Sequence, residues 1–68
     1  MTKAVIGKTY HPYKGNAYTV ISVAEHTETN ELFVIYRDKA GDVWARPKDM
    51  WESKVEFKGE ELERFTLL

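Results

Sequence analysis

Sixty-eight residues make one domain (residues 1–68), near the lower end of what folds unaided. The chain has no cysteine, so neither disulfides nor a thiolate zinc site can supplement its core. Ten Lys and Arg against eleven Asp and Glu give a net charge of −1, which is not the basic footprint of a non-specific DNA binder.

A core dense enough for this size must come from the aromatic residues, two Trp, four Tyr and three Phe. No apolar run approaches the roughly 18 residues of a membrane span. Met1 to Gly7 carries one Lys and no apolar h-region, unlike a secretory signal. These features lead to the expectation of a cytoplasmic, monomeric protein with no membrane contact.

In chain order, Lys8 to Tyr13 is aromatic-rich and interrupted by Pro12, which predicts a short edge strand. Lys14-Gly15-Asn16 is turn chemistry. Ala17 to His26 reads as the longest strand. Its apolar residues fall on both faces, as in a strand covered on both sides or bent across a barrel corner. Thr27 to Asn30 caps a hairpin, with Asn30 the candidate for a left-handed residue.

Leu32 to Arg37 alternates most clearly, with Leu32, Val34 and Tyr36 set against Phe33, Ile35 and Arg37. Asp38 to Asp42 is the next turn. Val43 to Pro47 is then a strand with Trp44 and Arg46 on one face. Pro47 ends the ladder and opens one helical turn over Lys48 to Trp51, which brings Met50 and Trp51 back onto one end of the core. Lys54 to Lys58 is a further strand, Gly59 breaks it, and Glu60 to Glu63 reads as a loop leading into a last strand from Arg64. The pattern predicts an all-β fold, a small SH3-like barrel with one short helical turn after the Trp-x-Arg-Pro strand.

Four short words occur in order: Tyr13-Lys14-Gly15-Asn16 with Tyr18, His26-Thr27-Glu28-Thr29, Val34-Ile35-Tyr36, and Trp44-Ala45-Arg46-Pro47 with Met50 and Trp51. Together they resemble a bacterial and phage family, domain of unknown function 1653. The resemblance implies a compact SH3-like β fold and brings no known activity. The chain departs from the family pattern at Pro12, where a histidine is usual and His11 lies one position earlier. The family's longer insertion before the tryptophan is here only Lys39 to Val43.

No Ser/His/Asp order, Gly-rich phosphate loop or paired carboxylates occurs, so the expectation is a protein that is not an enzyme and uses no cofactor. His11 and His26 are considered as metal ligands. Only Glu25, His26 and Glu28 cluster, Glu25 and His26 lie on opposite strand faces, and the favoured role for His26 is to stabilise a turn. Tyr10, Tyr13, Trp44, Pro47 and Trp51 invite comparison with the aromatic groove of SH3 domains. Most must be core, with two or three partly exposed. The first functional expectation is therefore a non-enzymatic module binding a protein or peptide near Tyr13, Trp44, Arg46 and Trp51. The alternative is single-stranded nucleic acid held by Arg37, Lys39, Arg46 and Lys48 around Trp44, against which Asp38, Asp42 and Asp49 dilute the field. Arg46 is also considered as a buried ion-pair partner, for example of Glu28.

Overall fold

The computed structural model describes residues 3–68. In chain order these form β1 (Thr9–Pro12), β2 (Tyr18–Glu25), β3 (Leu32–Arg37), β4 (Val43–Pro47), α1 (Lys48–Trp51), β5 (Lys54–Phe57), β6 (Glu60–Glu63) and β7 (Phe65–Leu67). The class observed is the class expected: all-β and barrel-like, with one helical turn after the Trp-x-Arg-Pro strand. Among the described residues no helix is long and apolar enough to cross a membrane.

The main sheet is antiparallel with the order β4-β3-β2-β1-β7, and β5 and β6 form a separate hairpin. In β2, Val20 faces Tyr36 and Ser22 faces Ile35, so Ile21 is an extra residue, a β-bulge. The bulge explains the apolar residues on both faces of this strand. It reverses the alternation, so that Val20 points into the core before it and Val23 is half-buried after it. A bulged strand bends and twists more strongly, which curves the sheet around the core. The left-handed residue expected in the β2–β3 turn is Asn30, with φ 62°.

Two expectations are corrected. Strand β1 is not an edge, because it pairs with β2 on one side and β7 on the other. Pro12 is tolerated for a local reason. Hydrogen bonds from Tyr13 N–H to Arg64 C=O and from Leu68 N–H to Thr9 C=O turn the odd-numbered residues toward β7. The position of Pro12 therefore faces the β2 side, where β2 begins only at Tyr18, and no ladder bond is lost. The second correction is Glu60–Glu63, which is a strand and not a loop. Lys58 and Gly59 both have positive φ, 53° and 80°, the two-residue geometry that matches the twist of a hairpin. That turn sets Val55 opposite Leu62 and overrides the poor strand propensity of three glutamates.

The core is Tyr10, Val20, Val34, Tyr36, Trp51 and Phe65. Trp51, fully buried, stacks on Phe65 at 3.8 Å between ring centroids and 11° between planes. Tyr10 meets it edge-on at 5.4 Å, and Tyr36 lies tilted at 5.2 Å. Helix α1 is a single turn whose purpose is visible in its last residue: it carries Trp51 from the end of β4 over the sheet.

Two polar side chains, Tyr10 and Glu52, hold the amino-terminal segment onto this core. The buried Tyr10 hydroxyl donates to Lys3 C=O at 2.6 Å and accepts from Val5 N–H at 2.7 Å. Glu52, 8% exposed, accepts from Ala4 N–H at 3.2 Å and pairs with Lys48 Nζ at 2.8 Å. Burial pushes the Glu52 carboxyl up, but the hydrogen bonds from Lys48 and Ala4 and the charges of Lys48 and Lys3 together hold it below its ordinary value near 4.5.

Trp51→Ala is expected to cost about 3–5 kcal/mol, comparable with the whole stability of a small domain, so the variant melts below room temperature or fails to fold. Trp44→Ala, at a half-exposed position, is expected to stay within about 1 kcal/mol of the parent. Thermal melts by circular dichroism check both, and equal losses would contradict the assignment of Trp51 as the keystone.

The lowered Glu52 pKa gives a second expectation. Its folded value lies below the unfolded one, so its contribution is present above about pH 4.5 and lost as pH falls through the folded value. Glu52→Gln should lower the midpoint at pH 7 and flatten its fall below pH 4.5. A melt series against pH would contradict this if the variant and parent curves were parallel.

Candidate functional site

Strand β4 is one edge of the main sheet. Asp38 N–H donates to Asp42 C=O at 2.9 Å across the turn, which fixes the parity of the strand that follows. Asp42, Trp44 and Arg46 turn their backbone groups toward β3, with Trp44 opposite Tyr36 and Arg46 opposite Val34. By alternation, Val43 and Ala45 direct both N–H and C=O outward, while the C=O of Pro47, which caps α1, takes the first helical bond. Among the described residues no strand lies on that side.

Beside this edge is an open apolar face. Phe33 and Ile35 lie opposite Pro47 and Ala45 on one side, and Phe33 lies opposite Ala24 on the other. Ala24, Glu25, His26, Phe33, Ile35 and Ala45 line a shallow depression of about 260 Å³. Val43 extends this face and is 54% exposed.

Trp44 lies on the opposite face, 53% exposed, yet it is held in place. Its Nε1–H donates to Asp38 Oδ2 at 2.8 Å, and Asp38 Oδ1 accepts from Asp42 N–H at 3.0 Å. The Trp44 bond, with the backbone donors of the turn, holds the Asp38 carboxyl below its ordinary range against the opposing effect of burial. One carboxylate thus closes the β3–β4 turn and orients an exposed indole.

The residues singled out from the sequence are not gathered on one surface. Trp51 is wholly buried and is removed as a contact residue, because the core needs its full ring area. Tyr13 is half-buried and packs edge-on against Phe57 at 5.6 Å, fastening the β5–β6 hairpin to the end of β1. It is separated from Trp44 by β2 and β3. Arg46 turns inward: its guanidinium lies 5.3 Å from the Phe65 ring centroid and 5.9 Å from that of Tyr36, with Nη2 3.5 Å from the Tyr36 hydroxyl. The pairing of Arg46 with Glu28 is replaced by these ring contacts. Lys48 is engaged by Glu52, while Arg37 and Lys39 are exposed beside the Asp38 turn. The basic strip expected from Arg37, Lys39, Arg46 and Lys48 is thereby split between the two ends of β4.

His26 takes the turn role expected of it. Its Nδ1 accepts from Glu28 N–H at 3.1 Å and Thr29 N–H at 3.3 Å. His11 Nδ1 lies 2.8 Å from Pro12 C=O. Among the described residues no three side chains of His, Asp or Glu converge as a metal site would require. Val43, Ala45, Phe33 and Ile35 are not among the residues that side-chain chemistry singles out in the sequence. The signal was present: Leu32 to Arg37 carries apolar side chains on both faces, and only one face can meet the core.

A family model described as protein of unknown function (DUF1653) matches residues 8–67, a span that includes all seven strands. No curated protein and no solved structure matches the chain.

Asp38→Ala should release the Trp44 indole while leaving the core intact. In a nitrogen-correlated NMR spectrum the Trp44 indole N–H is expected to move toward the solvent-exposed position and exchange faster. The Trp51 indole should be unchanged. An unmoved Trp44 signal would show that Asp38 does not hold the ring.

Proposed function

The chain belongs to the DUF1653 family, and we propose that it is a non-enzymatic module that binds a protein by receiving an extended segment along β4. The observation that supports this reading is the outward-directed, unpaired backbone of Val43 and Ala45 between an apolar face and a fixed, exposed tryptophan. In strand addition, main-chain hydrogen bonds supply affinity, and side chains that alternate between two faces supply selectivity. A segment lying along β4 would set every second side chain beside Ala45, Ile35 and Phe33, and the others beside Trp44. Because Trp44 is already oriented by Asp38, little ordering cost is added on binding.

Of the residues expected to contact the partner, Trp44 remains the leading one. Arg46 would act from within, through the ring contacts that shape the inner side of the edge. Single-stranded nucleic acid is less well supported, since Arg46 and Lys48 are engaged inside the domain.

The test is capture from a host lysate, with and without nuclease, comparing the parent with Ala45→Pro and Trp44→Ala after each has been shown to fold. Proline at position 45 removes an outward N–H that makes no internal ladder bond. Recovery is expected to survive nuclease and to fall at least about tenfold with Ala45→Pro, the equivalent of ~1.4 kcal/mol. Recovery that Ala45→Pro leaves unchanged would overturn the role of β4. Recovery abolished by nuclease would transfer the assignment to nucleic acid.

A further inference from the structure

We infer that the segment received by β4 carries a carboxylate side chain, an aspartate or glutamate, at the position opposite Arg46. The inference rests on β4 being the docking strand and adds the chemistry of the partner. Its basis is that Arg46 is a half-buried cation that, among the described residues, has no anion.

A guanidinium presents five N–H donors in one plane. In Arg46, Nε is buried without a hydrogen-bond partner, and Nη2 reaches the Tyr36 hydroxyl only at 3.5 Å, beyond the usual range of about 2.7–3.2 Å. The rings of Phe65 and Tyr36 attract the charge but supply no in-plane acceptor. No ion pair among the described residues includes Arg46. Of the carboxylates flanking β4, Asp38 is held by Trp44 and Glu52 by Lys48, while Asp42 and Asp49 are exposed. A charge withdrawn from water with so few acceptors gains more from a carboxylate than a solvated surface cation does.

Strand addition brings a carboxylate within reach. Val43 and Ala45 direct their backbone groups outward, so they form the hydrogen-bonded pairs with an antiparallel segment. Trp44 and Arg46 take the non-hydrogen-bonded positions, where opposed residues lie about 4.5 Å apart at Cα and side chains approach most closely. From its amino end, the segment sets one residue opposite Arg46, the next opposite Ala45, then Trp44, then Val43. The first shares the inner face with Arg46 and is the acidic one. The second and fourth lie on the outer face, beside Ala45, Ile35, Phe33 and Val43, and are apolar. The third lies beside the indole. A run of phosphates is a poorer fit, because it needs a row of cations. Lys48 is paired with Glu52, and Arg37 and Lys39 stand at the other end of β4.

NMR titration of the purified full chain tests this with two blocked peptides, acetyl-Thr-Glu-Val-Thr-Val-Thr-amide and its twin with Gln in place of Glu. Both are expected to shift Val43, Ala45 and the Trp44 indole. The Glu peptide should bind about tenfold more tightly, the scale of a hydrogen bond to a charged group, and it alone should move the Arg46 Nε–H. Arg46→Gln should erase the difference between the two peptides, and Ala45→Pro should abolish the binding of both. Should Arg46→Gln fail to fold, the Glu–Gln comparison and the Arg46 Nε–H shift on the parent decide alone.

Equal affinities for the two peptides, both lost with Ala45→Pro, would overturn the carboxylate and leave the docking role of β4 standing. A preference for Glu that survives in folded Arg46→Gln would reject Arg46 as its recipient. Shifts confined to residues outside β4, or no shift at low-millimolar peptide, would overturn both readings. An oligothymidylate that moves the Arg46 Nε–H further than the Glu peptide does would reassign the cation to nucleic acid.

Discussion

The stack of Trp51 on Phe65 is the contact on which the rest of the fold depends. Phe65 opens the last strand and Trp51 closes the helical turn, so one pair of rings ties β7 to α1 across the core. Tyr10 from β1 and Tyr36 from β3 complete the cluster. A chain with no disulfide has few other ways to hold strands from both halves together. The demand also reaches back along the chain. Trp51 arrives only if β4 stops at Pro47 and the next four residues coil, so the length of the edge strand is set by the needs of the core.

The two tryptophans show how a short stretch divides its work. Seven positions apart, one is wholly buried and the other half-exposed. Trp44 belongs to a strand whose inner face is already occupied at this end by Tyr36, while Trp51 rides a turn that swings it over the middle of the sheet. The exposed ring is nevertheless fixed by the Asp38 carboxylate. Mobility and exposure are therefore separate properties here, and a fixed exposed aromatic beside an open strand edge is what distinguishes this surface from the rest of the molecule.

Much of the fold was legible in the sequence because local signals agreed with one another. Leu32 to Arg37 alternates, Pro47 stops a strand, and Asn30 marks a turn, and each of these is a near-neighbour effect. What was not legible depends on distant partners. The interior place of β1 requires β7, and Pro12 alone suggested an edge. The strand at Glu60–Glu63 depends on its hairpin mate, against its own composition. The site was read less well for the same reason. Tyr13, Trp44 and Trp51 are amphipathic aromatics that suit both a core and a surface, Arg46 can lay its stem on either, and only packing sorts them. Val43 and Ala45 carry their importance in the main chain, which side-chain chemistry cannot announce.

The neighbouring positions of β1 and β7 have a consequence for how the molecule comes into being. Tyr10 pairs with Leu67, and the ring on which Trp51 rests belongs to Phe65. While the chain is being synthesised, its first strand has only one of its two neighbours, and the aromatic cluster lacks a wall until the last strand has left the ribosome. Contacts this distant in sequence slow the search for the native state. Small single domains usually fold in one cooperative step, and here the buried cluster is complete only when Phe65 has joined it. Loss of the residues from Phe65 onward would leave the earlier strands without a core to close.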